Sequence, residues 1–293
     1  MNNDKKLSDA IKFFISGRLE KAELNLTAIV SDDSENADAL STLALIKIYK
    51  GEYDDALNLL ASAVRIKPNI ARLHFLISFV LAKLHRTDEA NEFFLSGMEL
   101  DSNDEKIPRF QAAILIERGQ FDTALDILSE YILDHPEETW DAWNDLGMLY
   151  YASEQFELAK QSFIKSAQSA SLLGLSIPFV HFNLGLCFNV QGDYENARKQ
   201  FSTAIALDPE LAPAWSALGL LLAKDGEFER AFEFIEKSIE LQPQEPSHWF
   251  AMGEAYELYG DGQASNHYFT EGYKLFKSLY PDNKVPEGTG GQG

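Results

Sequence analysis

Apolar residues return along this chain at intervals of three and four, the spacing that lines one face of an α-helix. Trp215, Leu218 and Leu222 make one such run and Ala231, Ile235 and Ser238 a second, with the turn "GEFERA" from Gly226 to Ala231 between them. The ladder recurs. His181, Leu184 and Phe188 precede Gly192, and Ala197, Phe201 and Ala204 follow it; Trp143, Leu146 and Tyr150 precede Ala159, Phe163 and Ser166; Trp249, Met252 and Tyr256 precede Ser265, Phe269 and Gly272. The turns recur too, as "GEYDDA" from Gly51, "GQFDTA" from Gly119, "GDYENA" from Gly192 and a weaker "GRLEKA" from Gly17. Glycine there supplies the positive φ that ends one helix, and the acids after it suit the positive end of the next. The pattern therefore predicts an all-α chain of helix pairs, and it assigns the turns to punctuation rather than chemistry.

Setting these turns in register gives a period near 34 residues, the mark of a solenoid. With Trp215, Leu218, Gly219 and Leu222 before the turn and Ala231, Ile235, Ser238 and Pro243 after it, the chain resembles the tetratricopeptide repeat, W-x2-L-G-x2-Y then A-x3-F then P. Eight units begin near Asn3, Ala37, Ala71, Glu105, Trp140, Pro178, Ala212 and Pro246, a single array over residues 1–279 followed by a flexible tail, 280–293. Several units depart from the pattern. His85 and Ser102 stand where glycine and proline belong, Pro108 and Gln111 take large-apolar places, and the first unit runs one residue out of register with Gly17. Between Ser171 and Pro178 the spacing stretches by four residues, which predicts a longer loop or an extended helix end. The resemblance implies a right-handed superhelical solenoid of helical hairpins.

Helical geometry accounts for the spacing without the family. At 100° per residue, positions 4, 7, 8 and 11 of each unit share one stripe on a first helix, and positions 20, 24 and 27 share one on a second. Alanine or glycine at positions 8 and 20 removes bulk where the two helices cross.

Composition narrows the function. The chain has 293 residues, 45% of them apolar, and a formal net charge of −21, which disfavours strong binding to nucleic acid or anionic lipid. The sequence shows no secretory signal and no uncharged apolar run long enough to span a membrane. Cys187 is the only cysteine, so no internal disulfide is expected and a reducing cytoplasm is the simplest compartment. The histidines, His74, His85, His135, His181, His248 and His267, are scattered with no paired-ligand spacing, and the tail's "GTGGQG" lacks the Lys and Ser/Thr of a phosphate loop. Acid pairs such as Asp54 and Asp55 sit where helices start and suit the dipole. No catalytic constellation, metal site or cofactor is expected, so the chain reads as non-enzymatic.

The other face of the first helices is the informative one. Positions 2, 5, 9 and 12 point away from the core stripe and would be polar in a minimal scaffold. Many are apolar instead: Phe75, Phe79, Ile116, Met148, Tyr151, Phe179, Phe182 and Leu186, extended by Leu45, Ile48 and Leu220. By resemblance this face lines a concave groove that takes a peptide or helix of a partner protein. The competing account is that neighbouring first helices bury these side chains among themselves. Asn144, Asn183 and Asn189 are expected to reach a ligand's backbone amides, and Arg72, Lys83, Lys106 and Arg109 form a basic subsite for an acidic peptide or terminal carboxylate, unless neighbouring acids balance them. The Lys and Asn spacing of the family's chaperone-tail clamp is missing. A protein adaptor is thus the expected function, with a regulatory subunit, an assembly chaperone and self-association through the last helix, Ala264 to Leu279, as alternatives.

Overall fold

In a computed structural model the chain is described over residues 2–15, 19–135 and 140–279, so the turn at Gly17, Glu137, Glu138 and the expected tail at 280–293 lie outside the described residues. The described residues form sixteen helices and no strand. They pair as α1 (Asn2–Ile15) with α2 (Leu19–Asp32), α3 (Ala37–Lys50) with α4 (Tyr53–Ile66), α5 (Ala71–Lys83) with α6 (Thr87–Leu100), and α7 (Ile107–Glu117) with α8 (Phe121–Asp134). Next come α9 (Trp140–Ala152) with α10 (Phe156–Leu172), α11 (Pro178–Val190) with α12 (Tyr194–Leu207), α13 (Ala212–Lys224) with α14 (Phe228–Leu241), and α15 (Pro246–Tyr259) with α16 (Gly262–Leu279). Every first helix begins within two residues of the position that the repeat assigned it.

The chain falls into two compact units, residues 1–176 and 177–293. The boundary coincides with the stretched spacing after Ser171, where α10 runs to 17 residues and Gly174 at φ 71° turns the chain. In the first unit the core passes from Leu26, Ile29 and Ile46 through Leu60, Phe75 and Leu81 to Leu128 and Leu149; in the second it gathers Phe201, Leu218 and Leu222 with Ile235 and Met252.

Local chemistry sets the helix ends. Asn36 caps α3 by accepting the Ala39 amide at 3.0 Å, and Gly51 at φ 77° ends it. His85 and Glu154 hold the same left-handed turn at φ 58° and 59° without being glycine, at a cost of about 1–2 kcal/mol each. His85 is held there by Glu117, 2.8 Å from its Nδ1.

Hairpins close on glycine–ring pairs. A Cβ on Gly147, Gly185 or Gly253 would stand 2.5 to 3.0 Å from the ring of Phe163, Phe201 or Phe269 in the partner helix. In α5–α6 the pair is reversed, Gly97 on the second helix receiving Phe75 from the first, and α15–α16 has both arrangements, its Gly272 receiving Phe250.

Candidate functional site

Within the first unit, the outward face of the first helices is a network of ion pairs. Arg72 lies 3.4 Å from Asp104, Lys83 3.8 Å from Glu117 and Lys106 3.3 Å from Asp141. Arg109 donates through Nε and Nη2 to Asp145 at 2.8 and 2.7 Å and through Nη1 to Asp141. Each acid lies 32 to 36 residues after its cation, one repeat further along. All four cations of the expected basic subsite thus face an acid of the neighbouring repeat, the alternative that the sequence left open. Their work is to join α5 to α7 and α7 to α9.

The Arg109 cluster is largely enclosed, its side chain only 15% exposed. Burial works against the guanidinium's charge, but Asp145 and Asp141 outweigh it and its pKa rises. Burial also lifts Asp145 above the usual carboxylate range, against the pull of Arg109 and with Asp141 adding to the lift. Asp145 also reaches Tyr53 of α4, whose hydroxyl is pushed up to about 12 by burial first and by Asp145 and Glu117 after it.

The apolar members of the row divide by depth. Phe75 is fully buried, stacked on Phe110 at 5.5 Å with its edge in the slot that Gly97 leaves open, so its place on an open surface is corrected. Asn183 is likewise buried, at 8% exposure, and leaves the candidate surface. Phe79 remains half-buried with Lys83 above its ring, as do Ile116, Asn144 and Tyr151, the last edge-on to Phe156 at 5.3 Å. Met148 is exposed.

The second unit presents a different row. Its first helices place Phe179, Phe182, Leu186 and Asn189 on α11 in register with Pro213, Ser216, Leu220 and Ala223 on α13 and Ser247, Phe250, Glu254 and Glu257 on α15. Phe182 and Leu186 are half-buried against Leu218 and Leu221. Charge is absent from these positions until Glu254 and Glu257. Asn189 carries a buried Oδ1 with no hydrogen-bond donor, an unmet acceptor that costs about 1–3 kcal/mol. Packing alone would favour an apolar residue at that point.

Two further polar features escaped the sequence reading. His248, 1% exposed, lies 3.2 Å from Ser216 Oγ and 3.3 Å from Gln242 Oε1, and burial pushes its imidazole down to about 4. Lys47 joins Glu23 and Glu52 between α2, α3 and the following turn, while Lys50 bonds the same Glu23 at 2.9 Å. A scan for acids about one repeat beyond each cation would have found the α5–α7–α9 pairs; no spacing rule points to His248.

Among the described residues no group of histidine, cysteine and carboxylate side chains is placed to hold a metal, and Cys187 is fully buried. No helix among them is long and apolar enough to cross a membrane. A cleft of about 180 Å³ between α3 and α5 is lined by Asp38, Leu45, Lys67 and Arg72, and one of about 200 Å³ lies by Phe121 and Tyr150. Both are smaller than the ~300–1,000 Å³ of ordinary small-molecule sites. At the end of the chain, Phe269 of α16 is buried against Gly253, and Tyr273 packs on Phe250 at 5.1 Å. These rings complete the last hairpin.

Comparison with known proteins agrees with the repeat. Models of the tetratricopeptide repeat match residues 13–77, 111–171, 188–226 and 212–245. Among curated proteins, a BBSome complex member BBS4 homolog of Drosophila melanogaster is 25% identical over 183 residues, 61% of this chain and 36% of that protein. BBSome complex member BBS4 of Bos taurus is 24% identical over 188 residues, 62% of this chain and 35% of that protein. The aligned part is thus about a third of the length of these relatives. Among solved structures, the APC/C hetero-tetramer Cut9-Hcn1 superposes with a TM-score of 0.67 at 17% identity, over 95% of this chain and 53% of that one, a likeness of fold.

Proposed function

Because the chain belongs to the tetratricopeptide repeat family, whose fold supports protein–protein interaction scaffolds, we infer that it is an adaptor holding a segment of a partner protein against the outward face of its first helices. The observation that carries this reading is the recurrence, in each unit by itself, of large apolar side chains at positions 9 and 12 of the first helices, where the hairpin's own core does not require them: Phe79, Ile116, Met148 and Tyr151 in the first unit, Leu186 and Leu220 in the second. Such surfaces mark partner sites when contiguous. The matches to two BBSome complex members support a place in a multi-subunit assembly rather than action alone. No step of chemistry is assigned to the chain.

The test is crosslinking of the full chain in its native complex, followed by binding of the partner so identified to the Phe79→Ala/Phe182→Ala double variant. Both rings are half-buried, so a tenfold or greater loss of affinity with a melting temperature lowered by a few degrees is expected. A double variant that melted far earlier yet bound as before would return these rings to the core and end the reading.

A further inference from the structure

The second unit's row has a direction. It begins on α11 with Phe179, Phe182 and Leu186, continues through Leu220 on α13, and ends on α15 at Glu254 and Glu257. Glu257 is exposed, Glu254 half-buried, and no ion pair joins either to another described residue. The first unit behaves otherwise, for there each cation of the row meets an acid one repeat on. The second unit as a whole is acidic, with seven Lys and Arg against fifteen Asp and Glu over residues 177–279, a net −8. Lys224, at the end of α13, is the only Lys or Arg within α11, α13 and α15.

Building on the adaptor reading above, we propose that the second unit selects an apolar protein segment that ends in lysine or arginine, laid with its apolar part over α11 and α13 and its cationic end on Glu254 and Glu257. The row crosses α11, α13 and α15, with Phe182 and Leu186 of α11 packed into a cluster with Leu218 and Leu221 of α13, and a helical segment of about 13 residues covers about 20 Å of such a track. Apolar contact along the track supplies the affinity. The two carboxylates set the direction, because a cation at that end pairs with opposite charge, whereas at the α11 end it meets the rings of Phe179 and Phe182, which attract it more weakly than a carboxylate does. An acidic end fails for the same reason in reverse, facing like charge in a unit already at −8.

The experiment uses the full chain and two fluorescein-labelled synthetic helices of about 16 residues, leucine along one face, one with three lysines at its carboxyl end and one with three glutamates there. The lysine peptide is expected to bind at least tenfold tighter at low salt, and Glu254→Lys/Glu257→Lys to reverse the order. Because these two side chains are not in the core, the double variant is expected to keep its melting temperature, so a changed preference reports charge and not unfolding. Leu186→Gln is expected to weaken both peptides alike. If both peptides bind equally to wild type and to the charge-reversed variant while Leu186→Gln weakens both, the charge selection is wrong and the adaptor face stands. If Leu186→Gln leaves binding untouched in a chain that still folds, the face itself is wrong and the inference fails with it.

Discussion

The two units carry the same hairpin but use its outward face for different ends. In the first, position 2 of α5, α7 and α9 reads Arg72, Lys106, Asp141, and these charges are spent on joining repeats. In the second, the same position reads Phe179, Pro213, Ser247, and nothing there makes an ion pair between repeats. Phe75 and Phe182 sharpen the contrast, being the same residue at the same place in two hairpins. Phe75 finds Gly97 opposite and Phe110 across from it in the next repeat, and is sealed in. Phe182 finds Ala204 and Ala217 at those places and stays half-buried. Exposure at this position is decided by residues one element and one repeat away, so identical side chains serve as core in one unit and as surface in the other.

The strongest way to break the comparison is Arg109→Met. It strands Asp141 and Asp145 together, and unfolding in urea is expected to show a loss of about 3–5 kcal/mol, the usual cost of halving a buried ion pair. Without the guanidinium the buried Asp145 resists ionisation in the fold still more, so the deficit is expected to shrink as pH is lowered from 7 toward 4. A deficit independent of pH would mean that α7 and α9 are joined by packing. Acid is expected to act oppositely on the second unit. Below pH 6.5 the unfolded chain protonates His248 while the folded chain, with the imidazole at about 4, refuses the proton. Stability contributed by the neutral ring is whole above 6.5 and falls through that window, by about 2 kcal/mol at pH 5. Hydrogen exchange at pH 7 and 5, corrected for intrinsic rates, is expected to show α13 and α15 losing protection, and His248→Gln to remove the difference. Asn189→Leu, which discards the unmet acceptor, is expected to raise stability by about 1 kcal/mol; a loss of stability would make Asn189 structural. Smallest is Arg72→Ala: this pair is partly exposed, and a change within about 0.5 kcal/mol that vanishes at high salt is expected.

Much of the fold was legible because periodicity is a local property. Ala37, Ala71, Pro178, Ala212 and Pro246 open helices where the repeat placed them. The unit assigned to Glu105 starts its helix at Ile107 because Asp104 first takes the Lys106 amide at 2.8 Å and holds the loop. The candidate surface was less legible. Nothing in the run "ARLHFLISF" says that Phe75 lies deep and Phe79 half-way out, since Gly97 and Phe110 decide it. Nor does "KIPRF" reveal that Arg109 is already occupied, for its partners are 32 and 36 residues on.

The glycine–ring pairs bear on how such a chain can be recombined. Gly185 and Phe201 are fitted to each other across one hairpin, as are Phe75 and Gly97 with the roles exchanged. A crossover inside a hairpin that joined α5 to α12 would set Ser78 where the Phe201 ring needs Gly185, and Ala204 where the Phe75 ring needs Gly97. A crossover in the loops between hairpins keeps each pair intact. The heritable module of this fold is therefore the closed hairpin, and a library of shuffled repeats is expected to yield folded chains when cut between hairpins and to lose them when cut within.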